Sequence, residues 1–220
     1  MTLNTLLSIG VLICAYLLGS TPVGLLLVRV TTHKDVRRIG SGRTGGTNVM
    51  RAAGPWVALL AVSGDVLKGL LSVLLARWVV RIPAVEAPAS FLAVLGHNYS
   101  IFIGFKGGAG TMTTIGSATA LWPWISIVVA AVGIPTLAIT RYALLGSIAV
   151  ALATPITFAL RAWLWDAPWA YLIHGLGTAA LTLWSLRPNI QRLAKGDECQ
   201  LSFRKTSEPS RLGTSGQTQS

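Results

Sequence analysis

Six stretches of this chain, residues 3–30, 55–80, 87–105, 111–139, 143–164 and 168–186, are too apolar and too long to be satisfied by water. About 20 apolar helical residues cross a bilayer core, and a backbone in lipid must close its hydrogen bonds within helices or barrels. Such a sequence is expected to fold as an all-α, polytopic membrane helix bundle. Composition points the same way: 52% of the residues are hydrophobic and only 11% charged, whereas a soluble domain carries roughly 25% charged residues. The first run, 3–30, has no basic residue before it and is too long for a cleavable signal, so it reads as a helix that stays.

The net charge is +11. A basic balance can serve nucleic acid through phosphate neutralisation, but a basic groove needs a water-facing surface. Here Lys and Arg fall between apolar runs and in the tail, the distribution expected of cytoplasmic loops. Nucleic acid is therefore excluded as a partner and the lipid bilayer is expected instead. The loop 31–54 carries Lys34, Arg37, Arg38, Arg43 and Arg51 against Asp35 alone. The tail carries Arg187, Arg192, Lys195, Arg204, Lys205 and Arg211. Placing loop and tail on one side requires the run 111–139 to cross twice, and Trp122-Pro123-Trp124 offers the break. The expectation is then seven membrane segments, N-terminus outside and C-terminus cytoplasmic; the alternative is five spans and one re-entrant piece. Residues 1–195 form the membrane domain, and 196–220, polar and rich in Ser, Thr, Gly and Gln, reads as a disordered cytoplasmic tail.

Several polar groups interrupt this apolar background. Asp65 and Lys68, three positions apart in the second span, share a helix face and can pair. Charges at that depth usually face a partner or a cavity, and Lys68 is placed to reach an anionic ligand with Asp65 orienting it. In the loop 39–48, Ser41, Gly42, Gly45, Thr47 and Asn48 lie among four glycines, with Arg51 just beyond. Glycines let amide N–H groups turn inward and approach a ligand, such nests cradle phosphate oxygens, and arginine adds a planar fork. The Gly-Lys-Ser/Thr ending of a Walker loop is absent. Lys106, Gly107 and Gly108 form a second nest candidate at the start of a helix, whose N-terminal amides favour an anion, with Thr113 in its first turn. Arg141 with Ser147, and Asn189 within 187–192, complete four phosphate-suited elements assigned to one membrane face. His97 in Gly96-His97-Asn98 is a candidate donor or base. His174 reads as a structural donor to a neighbouring helix.

No Gly-x-Ser-x-Gly elbow and no His-Glu-x-x-His zinc site occurs. Cys14 and Cys199 lack metal-ligand spacing. Neither a metal nor a cofactor is expected. Nothing in the sequence sets an oligomeric state.

The ordered set of motifs resembles the bacterial acyl-phosphate-dependent glycerol-3-phosphate acyltransferases, small multispanning inner-membrane enzymes. Where that family reads Gly-Ser-Gly-Asn-Pro-Gly-Ala-Thr-Asn-Val-Leu-Arg, this chain has Gly40-Ser41-Gly42-Arg43-Thr44-Gly45-Gly46-Thr47-Asn48-Val49-Met50-Arg51. Asp65-x-x-Lys68-Gly69 and Gly96-His97 follow. The family's Phe-Lys-Gly-Gly-Lys-Gly-Val-Ala-Thr stands as Phe105-Lys106-Gly107-Gly108-Ala109-Gly110-Thr111-Met112-Thr113, and Thr140-Arg141-Tyr142, Ser147 and Asn189-Ile190-x-Arg192-Leu193-x-x-Gly196-x-Glu198 match the later motifs. Four departures remove family groups: Ala109 for a lysine, Leu186 for a histidine, Leu144 for a serine, and Arg43-Thr44 for Asn-Pro. Arg43 could replace the missing lysine charge.

The resemblance implies transfer of a fatty acyl group from acyl phosphate to the 1-hydroxyl of glycerol-3-phosphate, giving lysophosphatidate at the bacterial cytoplasmic membrane. On that reading Arg51, Lys68, Lys106, His97 and Asn189 carry the chemistry. Ser41, Gly42, Gly45, Thr47, Asn48, Gly107, Gly108, Thr113, Arg141 and Ser147 bind phosphate. The hydroxyl proton has two candidate acceptors, His97 and a phosphate oxygen of the substrate. An organic-phosphate transporter, or a silent relative that only binds lipid or phosphate, would use the same donors without chemistry.

Overall fold

The computed structural model describes residues 2–201. Among these there are nine α-helices and no strand: α1 (Leu3–Ser20), α2 (Val23–Thr32), α3 (Gly46–Ala53), α4 (Pro55–Val79), α5 (Pro83–Asn98), α6 (Thr111–Leu121), α7 (Ile125–Thr140), α8 (Ala143–Trp165) and α9 (Ala170–Ala194). The run Leu3–Thr32, α4 and α8 are each long and apolar enough to cross a membrane, and α7 is a shorter apolar helix. Their outward faces expose Leu6, Ile13, Leu59, Leu60, Ile127, Ile134, Leu152, Ile156 and Leu160. In water that surface would invite association; a bilayer matches it.

Proline sets the breaks, and side chains repair them. Pro22 cannot supply an N–H, so α1 and α2 part at 21–22. Two carbonyls at the break find partners from elsewhere in the bundle. Lys68 Nζ donates to Thr21 O at 3.0 Å, and Ser100 Oγ donates to Ser20 O. Pro188 likewise leaves the Trp184 carbonyl without its helical donor, and Arg187 Nε fills the vacancy at 3.0 Å. That repair lets α9 continue through Pro188 to Ala194, beyond the expected end at residue 186.

Close packing of small residues joins the helices. A Cβ on Gly116 would lie 1.9 Å from the Val66 carbonyl oxygen and one on Gly69 2.3 Å from that of Thr113, so α4 and α6 touch backbone to backbone. Gly19 meets the Ala93 carbonyl and Gly96 the Tyr16 carbonyl in the same way, joining α1 to α5. The helix break expected at Trp122-Pro123-Trp124 is present, between α6 and α7. At 11 residues, α6 spans only about 16 Å, and Thr113, Thr114, Gly116, Ser117, Ala118, Ala120 and Leu121 are buried. Shelter by α4 and α5 replaces the length it lacks. His174 sits in the core with Nδ1 2.8 Å from Ser90 Oγ, linking α9 to α5.

Three boundaries differ from expectation. The third apolar helix covers 83–98 rather than 87–105, because Pro83 suits a first helical position and the chain turns after Asn98. The loop 31–54 contains a short 3-10 turn at Val36–Arg38 and α3, a helix of eight residues in a segment that reads as loop from its sequence. Residues 196–201, expected to open a disordered tail, fold back: Leu201 is buried and its N–H donates to the Arg141 carbonyl at 2.8 Å. The remainder of the expected tail, 202–220, lies outside the described residues.

Gly116→Ala is expected to destabilise the bundle by about 1–3 kcal/mol through overpacking, read as a lower thermal midpoint in detergent. Gly10→Ala, with no atom within 4 Å of the added Cβ, should leave the midpoint unchanged or raise it slightly. Equal effects at the two positions would refute the backbone contact between α4 and α6.

Candidate active site

The first loop is wired from within. Asp35 accepts from the Arg37 amide at 2.9 Å and pairs with its guanidinium at 2.7 Å. These hydrogen bonds hold the Asp35 carboxyl down at about 2. Gly40 and Gly42 take positive φ, 55° and 73°, where a side chain is strained. A Cβ on Gly40 would also collide with Asn48 Oδ1 and Arg51 Nη1, at 2.6 and 2.8 Å. Asn48, buried at the start of α3, is the hub. Its Nδ2 donates to Ser41 Oγ and to the Arg43 carbonyl, both at 2.9 Å, and its Oδ1 accepts from Arg51 Nη1 at 3.0 Å.

Arg43 leaves this loop and reaches the glycine segment, where Nη1 approaches the Gly108 carbonyl at 3.4 Å. Burial, then the neighbouring Arg192 charge, pull its guanidinium below the usual arginine range. In the glycine segment itself, Gly107 N–H donates to the Asn98 carbonyl and Gly108 N–H to the His97 carbonyl. Those two amides are engaged, so they form no open anion nest. Their glycine identity answers a packing demand instead: a Cβ on Gly107 would sit 1.9 Å from His97 O, and one on Gly108 2.0 Å from His97 Nε2. Gly110, at φ 85°, caps α6, and Thr114 N–H makes the first bond of that helix, to the Gly110 carbonyl. The amides of Thr111, Met112 and Thr113 precede that bond and are the free N-terminal donors of α6.

Beneath the loops lies a buried charge cluster. Asp65 Oδ1 is 2.9 Å from Lys68 Nζ and 3.3 Å from His97 Nδ1, ion-pair distances shared on one oxygen. At the end of α9, Asn189 Nδ2 donates to Glu198 Oε1 at 2.8 Å and Arg192 Nε to Glu198 Oε2 at 3.0 Å. Residues 197–201 then cross the loops: Arg51 Nη2 meets the Cys199 carbonyl at 3.5 Å and Gln200 the Tyr142 hydroxyl at 3.1 Å.

These parts enclose one cavity. Ser41, Gly45, Thr47, Asn48, Arg51, His97, Ser147 and Asn189 line it, together with Arg43, Asp65, Glu198, Cys199 and an apolar set of Val62, Met112, Ala143, Leu144 and Leu186. Gly42, Lys106, Gly107 and Gly108 line a second, more open recess beside it, with Arg187 and Asn98. Three of the expected residues reach neither. Lys68 is spent on Asp65 and the helix break, Thr113 is buried facing α4, and Arg141 stands at the α7–α8 junction with its carbonyl bound by Leu201. The joining of His97 to Asp65 is invisible to sequence spacing, since they lie on different helices. Glu198 closes the last family motif without a role assigned to it there, and Cys199 lies in a polar composition that reads as tail.

The sequence matches the family model described as "Glycerol-3-phosphate acyltransferase" over residues 9–196. Similar proteins include the glycerol-3-phosphate acyltransferase of Syntrophomonas wolfei, 39% identical over 196 residues, which cover 88% of this chain and 96% of that one. That of Desulforudis audaxviator is 40% identical over 191 residues, 87% of this chain and 94% of that one. Among solved structures, crystals of PlsY, described as an integral membrane glycerol 3-phosphate acyltransferase, match in their glycerol 3-phosphate form with a TM-score of 0.82 and 32% identity, over 89% of this chain and 96% of that one. With a family match over residues 9–196 and a shared helix arrangement, this chain belongs to the glycerol-3-phosphate acyltransferase family.

Proposed function

We propose that this protein transfers a fatty acyl group from an acyl phosphate to the 1-hydroxyl of glycerol-3-phosphate, forming lysophosphatidate and inorganic phosphate. The observation that carries this reading is a pair of arginines facing one cavity, neither of them ion-paired to a carboxylate. Among the described residues, Arg43 and Arg51 have no ion pair, and their guanidinium bonds go to neutral oxygens of Gly108, Asn48 and Cys199. Unmatched guanidinium charge set among Ser41, Thr47 and Asn48 suits a phosphate better than any neutral ligand. The apolar lining, Val62, Met112, Leu144 and Leu186, suits the start of an acyl chain.

An acyl phosphate is already activated, so the protein needs to position and to stabilise charge rather than to supply a nucleophile. The glycerol hydroxyl oxygen attacks the acyl carbonyl carbon, the carbon–oxygen bond to phosphate breaks, and phosphate departs toward the cations. His97 accepts the hydroxyl proton on Nε2. Asp65 at its Nδ1 holds the ring in the required tautomer and balances the charge that develops, the division of labour known from histidine–carboxylate pairs. Lys68 pairs with that carboxylate, and Asn189 is oriented by Glu198.

We further infer seven membrane segments, in which the Leu3–Thr32 run counts once and α4, α5, α6, α7, α8 and α9 once each. The N-terminus lies outside, and the loops, α3 and the C-terminus are cytoplasmic, in a bacterial inner membrane. Contacts at the two ends of the bundle support this arrangement. Arg43 with Gly108, Arg51 with Cys199 and Leu201 with Arg141 gather at one end. Arg77, Glu86 and Tyr171 gather at the other, with Arg77 2.7 Å from Glu86. Both described cavities lie among the groups of the first end, which disfavours a transporter.

Purified protein in detergent, given palmitoyl phosphate and glycerol-3-phosphate, should release phosphate only when both are present; release with either one alone would sink the reaction. Arg51→Ala should lower turnover about 10²–10³-fold, the usual effect of losing one preorganised donor, with the thermal midpoint retained. His97→Ala should lower kcat about 10²–10⁴-fold while glycerol-3-phosphate still raises the thermal midpoint; an unchanged kcat removes it as the base. For topology, cysteines replacing Lys34, Lys106 and Lys195 in a chain freed of Cys14 and Cys199 should react with an impermeant thiol reagent from the cytoplasmic side. Those replacing Arg81, Trp124 and Asp166 should react from the other. Any exchange between the two groups breaks the seven-segment arrangement.

A further inference from the structure

The cavity and the second recess share two polar residues, Ser41 and Arg43. The basic side chains of the first are Arg43 and Arg51, and those of the second are Arg43, Lys106 and Arg187. Arg43 is therefore the one cation common to both among the described residues. Its position is fixed at both ends: Asn48 holds its carbonyl at 2.9 Å, and its Nη1 rests on the Gly108 carbonyl at 3.4 Å. Among the described residues no carboxylate lies within ion-pair distance of it. Glu198, the acid on the same wall, is engaged by Asn189 and Arg192, and Asp65 by Lys68 and His97.

The residue after Gly108 is Ala109, which lines the same cavity as Arg43 and stands where the family pattern has its second lysine. Ala109 brings no charge and little bulk, so the guanidinium from the first loop occupies the neighbourhood of the glycine segment without a competing ammonium. Two phosphate groups brought together for acyl transfer repel, and the repulsion is strong where water is scarce. A planar cation between them, able to present N–H groups to both sides, offsets it.

We propose that Arg43 is a phosphate-binding residue that bridges the donor and acceptor phosphates, carrying from the first loop the charge that Ala109 withdraws from the glycine segment. This rests on the acyl transfer proposed above. It assigns Arg43 to both substrates at once, so its loss must be felt by both, and it makes charge at position 109 an alternative to charge at position 43.

The test is a rescue. Arg43→Gln should raise KM for palmitoyl phosphate and for glycerol-3-phosphate at least tenfold each and lower kcat/KM about 10²-fold. Adding Ala109→Lys to that variant should recover at least tenfold of the loss. A side chain that merely braced the loop would not be replaced by an ammonium on another segment. Binding is read separately: inorganic phosphate should raise the thermal midpoint of the unaltered protein, not that of Arg43→Gln, and again that of the double variant. If the unaltered protein shows no turnover but this phosphate pattern holds, the reaction fails and the charge assignment stands. An Arg43→Gln protein that changes KM for one substrate only, or keeps its phosphate stabilisation, overturns the bridging role. So does a double variant that folds like the parent but gains nothing over Arg43→Gln.

Discussion

One carboxylate in the middle of the bundle ties the fold to the site. Asp65 neutralises Lys68 from the same helix and fixes His97 from the next, using a single oxygen for both. Lys68 then extends to the Thr21 carbonyl, exposed by the proline break between α1 and α2. Pairing offsets the cost of a charge in an apolar interior, and here the partners come from different parts of the chain. The break needs a donor, the donor needs an acid, and the acid holds the histidine that faces the cavity. Lys68 therefore belongs to the machinery of the site without touching its wall.

The glycines divide along the same line. Gly69, Gly116, Gly19 and Gly96 bring backbones into contact between helices, which an apolar solvent does not otherwise drive. Gly107 and Gly108 have no room for a side chain because His97 fills it, and their amides are held by carbonyls of His97 and Asn98. A segment that reads as a phosphate nest thus works as a socket for an imidazole. The amides left for an anion are those of the α6 N-terminus just after it. Gly40 is the counterpart in the first loop, making space for Asn48 and Arg51 to meet.

Much of this was legible in the sequence, for identifiable reasons. Long apolar runs and proline punctuation are strong local signals, so the helices and the break at Trp122-Pro123-Trp124 could be placed from composition alone. The polar loops read as anion-suited because glycine, hydroxyl and arginine at short spacing have few other uses inside a membrane protein, yet the amides of Gly107 and Gly108 turn out to be engaged. What the sequence could not reveal is decided across distance. The pairing of Asp65 with His97 joins α4 to α5. The folding back of 197–201 depends on Glu198 finding Asn189 and Arg192, and on Leu201 finding the Arg141 carbonyl. Composition alone reads that segment as solvent-exposed chain. The continuation of α9 through Pro188 turned on one arginine recovering one carbonyl, which proline statistics do not foresee.

The places where this chain departs from its family pattern are not scattered. Ala109, Leu144 and Leu186, each standing for a polar family residue, come from the glycine segment, α8 and α9 and line one cavity. Together with Met112 and Val62 they make part of its wall apolar. The Asn48–Arg51 pair and the Asp65–His97 pair, proposed above to bind charge and to move a proton, are intact. An apolar wall excludes water and strengthens every remaining electrostatic contact, so fewer donors act with more effect. The arginine at position 43 is then the natural complement of the three losses. Its guanidinium, as proposed above, brings to that wall a charge whose geometry fits phosphate better than the point charge of a lysine.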